Sequence, residues 1–502
     1  MKQDAPARLA AGQTRRRGRG FWAPVVAAVA LALALFVPVT APAQTPLTVA
    51  AVEARSAEIL THLGFTWRFI AATQTPTGVD VEITEPSFIA NTFGDRVVLN
   101  DLVIELTPID DDVVGFKVLL DPPVITVVAQ TGLESERLTA ERLEIQGRWS
   151  AALGRIFALN VLADDVAIDG NPDSSITAAR MLAAIESPAS GLGDLTLDLN
   201  LSDLSVSELG EQTFAADSLA ITLAADAFDP AIDTAFRSEF GSGPLGLPAN
   251  AGGPMTDEDA RALLGRLVSD FAVLANGFTL AIAVDHPRGG APGQAPVDVF
   301  RLALALTDVR DGLATLSIDT VADGLDFSQT DDPPPAEAAP YLPQRFVLEM
   351  SLRNLPFGDI LVSMGRTLRA GPPAVETAGG IIGLQTVALM MRHDLALHLD
   401  TLLYQGALVQ AEASGHAQLD AMSAMGAVWA FDLSLVGLDG LLDVARQTGA
   451  SQQELGDMQM LLALGRQTDG GPGAAPSLRY TFTGDGEGVI MVNDVDLRTL
   501  TV

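Results

Sequence analysis

The histidines are the side chains in this sequence best suited to metal binding or proton transfer. There are five, at His62, His286, His393, His398 and His416. His393 and His398 are five residues apart, which places them on opposite faces of a strand, or about 140° apart on a helix. Neither arrangement lets them share a metal ion. A metal site would therefore need a fold that gathers distant residues, and we predict none.

Motifs for catalysis and cofactor binding are missing from the sequence. The chain has no cysteine, which excludes disulfides, thiolate metal sites and a cysteine nucleophile. The serine-hydrolase pattern G-x-S-x-G and the phosphate-binding pattern G-x-x-x-x-G-K-[ST] are both absent, as are H-E-x-x-H and EF-hand spacings. We therefore predict no catalytic, cofactor-binding or metal-binding residues, and a protein that is not an enzyme.

Carboxylates are abundant, so a pair of them carries little information. The runs Asp110–Asp112 and Asp164–Asp165 fall at predicted strand ends, where solvated turn residues are expected, with weak calcium binding as the alternative. Glu349 and Arg353 fall on the polar side of a predicted strand and are also expected to be solvated. A hydrolase would need at least two carboxylates converging in one cleft with raised pKa values.

The charge of the chain excludes some partners. The formal net charge is −33, and residues 1–43 are basic, with one Lys, five Arg and one Asp, so the remainder is more acidic still. Such a surface repels phosphate backbones and anionic lipid headgroups. We predict no binding of nucleic acid and interpret the charge mainly as an aid to solubility.

The N-terminus has the pattern of a secretory signal peptide. Basic residues precede an apolar run at 21–37, and Thr40-Ala41-Pro42-Ala43 places small residues at the −3 and −1 positions. We predict cleavage after Ala43 and a periplasmic protein, with an uncleaved membrane anchor as the alternative. A later apolar run at 379–391 is too short to span a bilayer, so we predict a buried core helix or strand there.

Period-two alternation dominates the rest of the chain. At Leu195–Ser202 four leucines alternate with polar residues, which predicts an antiparallel strand with one buried and one wet face. The same pattern is present at 79–84, 219–223, 300–306 and 395–399. Helices are predicted at Val49–Leu63 and Thr256–Ala275, and as a hairpin near 438–465 in which Ser451 and Glu454 form a capping box.

Dense proline at Asp331–Pro335 suggests a domain boundary, since proline is excluded from the interior of a sheet. We predict a β-rich N-terminal domain at 44–328, a Pro-rich linker at 329–343 and a β-rich C-terminal domain at 344–502. The predicted C-terminal domain repeats a strand-then-helix unit, at Leu342–Gly365 and again from Phe431. The predicted fold class is α+β and mainly β, with extended or curved antiparallel sheets and a few packed helices.

Methionines cluster towards the C-terminus, at Met422, Met425, Met458 and Met460, together with Met390 and Met391. Methionine fills irregular gaps in a core and also serves adaptable apolar surfaces. We favour core packing here over a groove for a lipid or a partner.

Three blocks carry a resemblance to a known group of proteins: FVLEMSLRNLP, FDLSLVGLDGLL and the C-terminal GDGEGVIMVNDVDL. Together with the signal peptide and the leucine-rich strands, they resemble uncharacterised periplasmic families of proteobacteria, loosely AsmA-like and YdgA-like. The resemblance implies a domain of unknown function without catalytic residues. AsmA-like proteins are thought to act in lipid homeostasis of the cell envelope.

Three functions follow as hypotheses. The favoured one is a non-enzymatic envelope protein with an apolar surface that binds a lipid or a partner. The second is a structural or interaction module of envelope assembly with a filled core, which would bind a defined envelope protein. The third is a hydrolase that uses dispersed carboxylates.

Overall fold

The structure is a computed structural model of the whole chain. It describes residues 48–499 except 63–64, 90–95, 111, 130, 132–133, 151–154, 171–173, 234–264, 267, 269, 272, 290–295, 331–332, 371–374, 448–450 and 469–476. The predicted signal peptide at 1–43 lies outside the described residues. The described chain is mainly β with several helices, which confirms the predicted α+β class.

The chain divides into two compact units. The first contains the described residues up to 183 together with 203–213, and the second contains 184–202, 214–233 and the described residues beyond 264. The long strands β12 (Ser174–Glu186), β13 (Gly193–Glu208) and β14 (Glu211–Phe228) contribute residues to both units.

The first unit is one helix and a set of antiparallel strands. Its elements are α1 (Val49–His62), β1 (Phe65–Thr66), β2 (Phe69–Gln74), β3 (Val79–Thr84), β4 (Ser87–Ile89), β5 (Arg96–Leu99), β6 (Leu102–Pro108), β7 (Val113–Leu120), β8 (Val124–Val128), β9 (Glu134–Thr139), β10 (Arg142–Ser150) and β11 (Arg155–Gly170).

Strand β11 joins two halves of this sheet. Its residues 155–164 pair with β10, and its residues 167–170 pair with β9. One half continues from β10 through β7, β6 and β3 to β2, and the other from β9 through β8, β5 and β4 to β1. Alternate residues are fully buried, as in β3, where Val79, Val81 and Ile83 are 0% exposed. The period-two prediction of a buried face is thus confirmed in this unit.

The second unit contains the remaining strands and four of the helices. Its strands are β15 (Gly277–Asp285), β16 (Arg288–Gly289), β17 (Val299–Thr307), β18 (Ala314–Asp323), β19 (Arg345–Leu355), β20 (Ala396–Gln405), β21 (Gln410–Leu419), β22 (Ala427–Val436), β23 (Arg466–Thr468), β24 (Ser477–Gly484), β25 (Ile490–Val492) and β26 (Val495–Asp496). Its helices are α2 (Phe357–Ala370), α3 (Val375–Arg392), α4 (Leu438–Gln447) and α5 (Gln452–Leu464).

These strands form one antiparallel ladder. The order is β14–β15–β17–β18–β19–β20–β21–β22–β24, continued by β25 and β26, so almost every strand pairs with its neighbour in sequence. Hydroxyl groups reach across it to carboxylates on adjacent strands. Ser218 donates to Asp285 at 2.6 Å, and Thr481 donates to Asp432 at 2.7 Å.

The Pro-rich segment does not divide the compact units. The strands on either side of 329–343, β18 and β19, pair from Ala314↔Leu355 to Asp323↔Arg345. The segment therefore links adjacent strands of one ladder within the second unit, and in the described residues the chain passes between the two units at 183/184, 202/203 and 213/214 instead. Proline is accommodated because residues 333–344 lie outside the strands, in turns and a short 3-10 helix.

The helices agree with the sequence patterns where they are described. Helix α1 and the hairpin α4–α5 are present, and the described residues between 265 and 274 are helical, whereas 256–264 lie outside the described residues. Ser451 caps α5 by accepting from the Glu454 backbone N–H, and Glu454 accepts from the Ser451 N–H at 2.7 Å. In the described part of the chain, no helix has the length and apolar character needed to cross a membrane.

We expect Ile83→Ala to lower the free energy of unfolding of the first unit by about 2–5 kcal/mol, because it leaves a cavity at a fully buried position. Glu82→Ala, at the exposed neighbouring position on the other side of β3, should change the value by no more than about 0.5 kcal/mol. Urea unfolding of the two variants measures both effects. Equal effects would mean that β3 does not have one buried face.

Candidate functional site

The ladder of the second unit presents one continuous apolar face. Directly paired residues of an antiparallel sheet point to the same side, so the register assigns each side chain to a face. One row of pairs runs Leu280, Leu304, Ile318, Met350, Leu399, and the next runs Ile282, Leu302, Thr320, Leu348, Leu402.

We call this surface the apolar face and define it by the side chains that the register aligns. They are Leu219, Ile221 and Leu223 of β14, Phe278, Leu280, Ile282 and Val284 of β15, Phe300, Leu302, Leu304 and Leu306 of β17, Leu316, Ile318, Thr320 and Ala322 of β18, Phe346, Leu348, Met350 and Leu352 of β19, Leu397, Leu399, Leu402 and Tyr404 of β20, Ala411, Ala413, Gly415 and Ala417 of β21, Trp429, Phe431, Leu433 and Leu435 of β22, and Leu478, Tyr480 and Phe482 of β24.

Polar atoms are nearly absent from the apolar face. Thr320 is its one aliphatic hydroxyl side chain, and both of its tyrosine hydroxyls are already bonded within the chain. The Tyr404 hydroxyl donates to the Tyr341 carbonyl at 2.9 Å, and the Tyr480 hydroxyl donates to the Leu461 carbonyl at 2.8 Å. The surface therefore has few groups that could recognise a polar ligand.

Most of the apolar face is partly exposed. Apart from Val284 and Tyr480, its large side chains are neither buried nor, except for Leu223 at 44%, strongly exposed. The sequence prediction that alternating strands would have one buried face is wrong for this ladder. The alternation fixes which side chains share a face, but a second layer must cover that face before its residues are buried.

Two helical hairpins pack at opposite ends of the strands. Leu306, Leu316 and Leu352, the row nearest one end, pack against a buried cluster that includes Leu355 and Ile360, and residues from α2 and α3 also join it. At the other end, α4 is anchored by the buried side chains Leu438 and Leu442. The rows between the hairpins, from Leu280 to Leu399 and from Ile282 to Leu402, stay partly exposed.

The opposite face of the ladder is polar and holds a cluster of charges on β18–β20. Asp319 lies directly opposite Glu349, and Arg353 donates to Asp400 at 3.1 Å. Burial, followed by the like charges of Glu349 and Asp400, raises the pKa of Asp319 above its usual value of 3.8. These groups lie on an exposed strand surface and not in an enclosed cleft.

A serine, a histidine and an aspartate also meet in this cluster, but not in the order of a catalytic triad. The buried Ser351 hydroxyl donates to Asp400 at 3.2 Å and accepts from Arg353 at 3.1 Å. His398 lies opposite Ser351 and stacks on His416, with ring centroids 5.9 Å apart. Activation of a serine needs a histidine to accept its proton. Here the Ser351 hydroxyl is hydrogen-bonded to the Asp400 carboxylate and the Arg353 guanidinium, and these two bonds hold the hydroxyl in place.

Burial, followed by the positive charge of Arg353, lowers the pKa of His398. The His398–His416 pair is a contact that sequence spacing missed, because the pairing of β20 with β21 creates it. His393 lies after α3 with its Nε2 3.9 Å from Asp359, and His286 lies 3.2 Å from Asp217. Among the described residues, no group of three or more His, Asp or Glu side chains has metal-binding geometry.

A shallow depression of about 310 Å³ lies on the polar side of β14–β18. Ala281, Ala283 and Ala303 form part of its lining, together with Arg301 and Asp319. Small side chains on three adjacent strands create it, and it is open to solvent.

The acidic runs that the sequence singled out belong to the first unit. Asp164 and Asp165 lie within β11, where its pairing changes from β10 to β9, so the prediction that they are turn residues at a strand end is wrong. Asp164 forms an ion pair with Arg180 at 3.0 Å, and a hydrogen bond with Asp165 raises the pKa of Glu141. Asp110 accepts from the Asp112 backbone N–H, as a solvated turn residue does, and Asp111 lies outside the described residues.

Two expectations about apolar segments are wrong. Residues 379–391 belong to helix α3, but Leu384 is 77% exposed, so this is not a buried core helix. Met422, expected in the core, is 91% exposed in the turn between β21 and β22. An apolar run predicts burial only if another element packs over it, and a single sequence does not show which elements meet.

Compared with known proteins, the chain matches no family model, no curated protein and no solved structure. The resemblance to AsmA-like and YdgA-like families therefore stays a prediction. The candidate site rests on the geometry alone, and the apolar face is its most extensive feature.

We expect Asp319→Asn to stabilise the second unit at pH 7. A raised pKa means that the folded state binds the proton more tightly than the unfolded chain does, so ionisation at neutral pH costs stability. The gain should disappear below about pH 3.8, where both states are protonated. Urea unfolding at pH 7 and pH 3.5 measures it, with Asp457→Asn on the exposed side of α5 as the control. A gain that is equal at both pH values would contradict the assignment.

Proposed function

We propose that this chain is an exported, non-enzymatic protein of the cell envelope that binds the acyl chains of lipids on the apolar face. The observation that carries the proposal is the continuity of that face across nine strands of one ladder, with its side chains left partly exposed. A monomeric soluble protein seldom exposes an apolar patch of this extent without a binding role.

The chemistry of the face favours a hydrocarbon chain over a protein partner. Protein interfaces place hydrogen-bonding groups around an apolar centre, and they are enriched in aromatic residues, Met and Arg. The apolar face holds aromatic residues and Met350 but no Arg, and its hydrogen-bonding groups are few, since the tyrosine hydroxyls are already bonded internally. An acyl chain has no polar groups that would be left unsatisfied on such a surface.

The dimensions of the face also suit an acyl chain. Nine strands at a spacing of about 4.8 Å extend over about 38 Å. The hydrocarbon core of a bilayer is about 30 Å thick, so one leaflet's chains span about half of that. The face is therefore long enough for an extended acyl chain lying across the strands.

The negative charge of the protein keeps the lipid headgroup away from the site where the acyl chain binds. The polar face of the same ladder carries Asp319, Glu349 and Asp400, and the chain as a whole is strongly acidic. These carboxylates repel an anionic headgroup, so the headgroup of a bound lipid stays in solvent. We therefore infer that recognition is through the hydrocarbon, with little selectivity for the headgroup.

The test is lipid extraction and mass spectrometry of the purified exported protein, followed by titration with a fluorescent fatty acid. Leu304→Asn combined with Ile318→Asn places two polar groups at directly paired central positions of the apolar face. We expect at least about tenfold weaker binding of the fatty acid, because each lost apolar contact is worth about 1.5 kcal/mol or more.

The matched control is Ala305→Asn combined with Ser317→Asn. These residues are also directly paired, on the same two strands, but on the polar face. Binding of the fatty acid should be unchanged in this variant. Two results would contradict the proposal. One is that the unmodified protein neither copurifies with lipid nor binds the fatty acid, and the other is that the two double variants lose fatty-acid affinity equally.

A further inference from the structure

The exposed large apolar side chains of the second unit concentrate at one end of its strands. This end, which we call the rim, consists of the described residues in 265–276, 308–313, 356–395 and 420–426. The register places these four segments at the same end, since Phe278 pairs with Leu306, Ala314 with Leu355, and Ala396 with Gln418. Each segment directly follows or precedes strands that end at the rim.

Every one of the four rim segments exposes a large apolar side chain. The most exposed are Met422 at 91%, Leu384 at 77%, Val387 at 53% and Val273 at 49%, and Leu313 adds 40%. At the opposite end of the described ladder, the tight turn between β20 and β21 exposes Leu408 at 54%, and α5 exposes Met460 at 43%. The rim is thus an apolar end surface assembled from separate loops and helices.

Helix α3 is the largest contributor to the rim. Ile381, Leu384, Ala388 and Met391 recur at three- and four-residue spacing, so they lie along one side of the helix, and all four are exposed. Between residues 380 and 391, only Gln385 and Thr386 are polar. The other side of α3 packs through Leu389 and Met390 on the buried cluster of Leu355 and Ile360, against which Leu306, Leu316 and Leu352 of the apolar face also pack. Helix α3 is therefore anchored beside the end row of the apolar face, and its exposed side is the one that this packing leaves uncovered.

Charge favours a bilayer with neutral headgroups as the occupant of the rim. The four rim segments carry five arginines and seven carboxylates, a net charge of −2, and the turn at 485–489, at the same strand end, adds Asp485 and Glu487. The chain as a whole carries −33. A second copy of such an acidic chain would bring a large like charge to the interface. Anionic headgroups would also repel it. A helix that is apolar along one side lies in a bilayer interface with that side among the acyl chains.

We propose that the rim docks this protein on the surface of a lipid bilayer, with α3 and the Met422 turn among the acyl chains. Docking there brings the end of the apolar face that packs against α2 and α3 to the bilayer surface, from which an acyl chain would enter. The docking inference rests on the rim's own exposed residues. It stands whether or not the sheet holds a lipid.

The lack of cysteine in the chain makes a local test possible. Single Leu384→Cys and Met422→Cys variants of the full chain are labelled with an environment-sensitive fluorophore and mixed with phosphatidylcholine vesicles. Leu408→Cys is the matched control, because Leu408 is also strongly exposed but lies at the opposite strand end. We expect a blue shift and at least about a twofold rise in emission at 384 and 422, and no change at 408.

Three results would overturn the inference. They are no response at 384 and 422, an equal response at 408, and a response that grows with protein concentration without vesicles, which would indicate a second copy on the rim. Tethering through the N-terminus alone cannot produce the expected pattern, because it brings neither probe into the hydrocarbon. Adding Leu304→Asn and Ile318→Asn to the Leu384→Cys protein should leave the response intact, which separates docking from acyl-chain binding by the sheet.

Discussion

The register of the antiparallel ladder is the constraint on which the second unit depends. Because side chains alternate with a period of two, a slip of one residue between any two strands would move an entire row to the other face. From β14 to β24 the pairing aligns the side chains of the apolar face, as in Leu304↔Ile318, and places pairs such as Thr481↔Asp432 on the other face. Irregularities such as the one between Leu399 and Leu402 add residues without exchanging the faces.

The same alternation has different consequences in the two units. In the first, Val79, Val81 and Ile83 are completely buried, as in the core of an ordinary globular protein. In the second, the equivalent positions on β15–β22 keep partial contact with water. The ladder is held instead by its backbone hydrogen bonds, by cross-strand bonds such as Ser218 to Asp285, and by helical hairpins packed at the strand ends. An open apolar face stabilises the fold less than a covered one, which is consistent with a surface kept for a ligand.

The charge of the chain becomes intelligible beside this open face. A large partly exposed apolar surface is a liability for self-association, and a net charge of −33 opposes it by repulsion between copies. On the polar face, Asp319 and Glu349 are directly opposed, and Arg353 neutralises Asp400 and holds Ser351. The Ser351 hydroxyl is thereby held between a carboxylate and a guanidinium on the polar face. The proposed function uses the other, nonpolar face of the same ladder.

The sequence by itself determined the strands, their two faces and many helix ends. Period-two alternation is a local property, so strands such as β3, β7 and β17 and the capping box at Ser451 and Glu454 could be predicted. The sequence did not determine that the apolar face is left open, that Leu384 and Met422 lie at one end of the strands, or that His398 meets His416. Those features depend on which elements pack together, and packing over a face joins residues distant in the chain. Only the tertiary structure decided them, because an exposed and a buried leucine have the same local pattern.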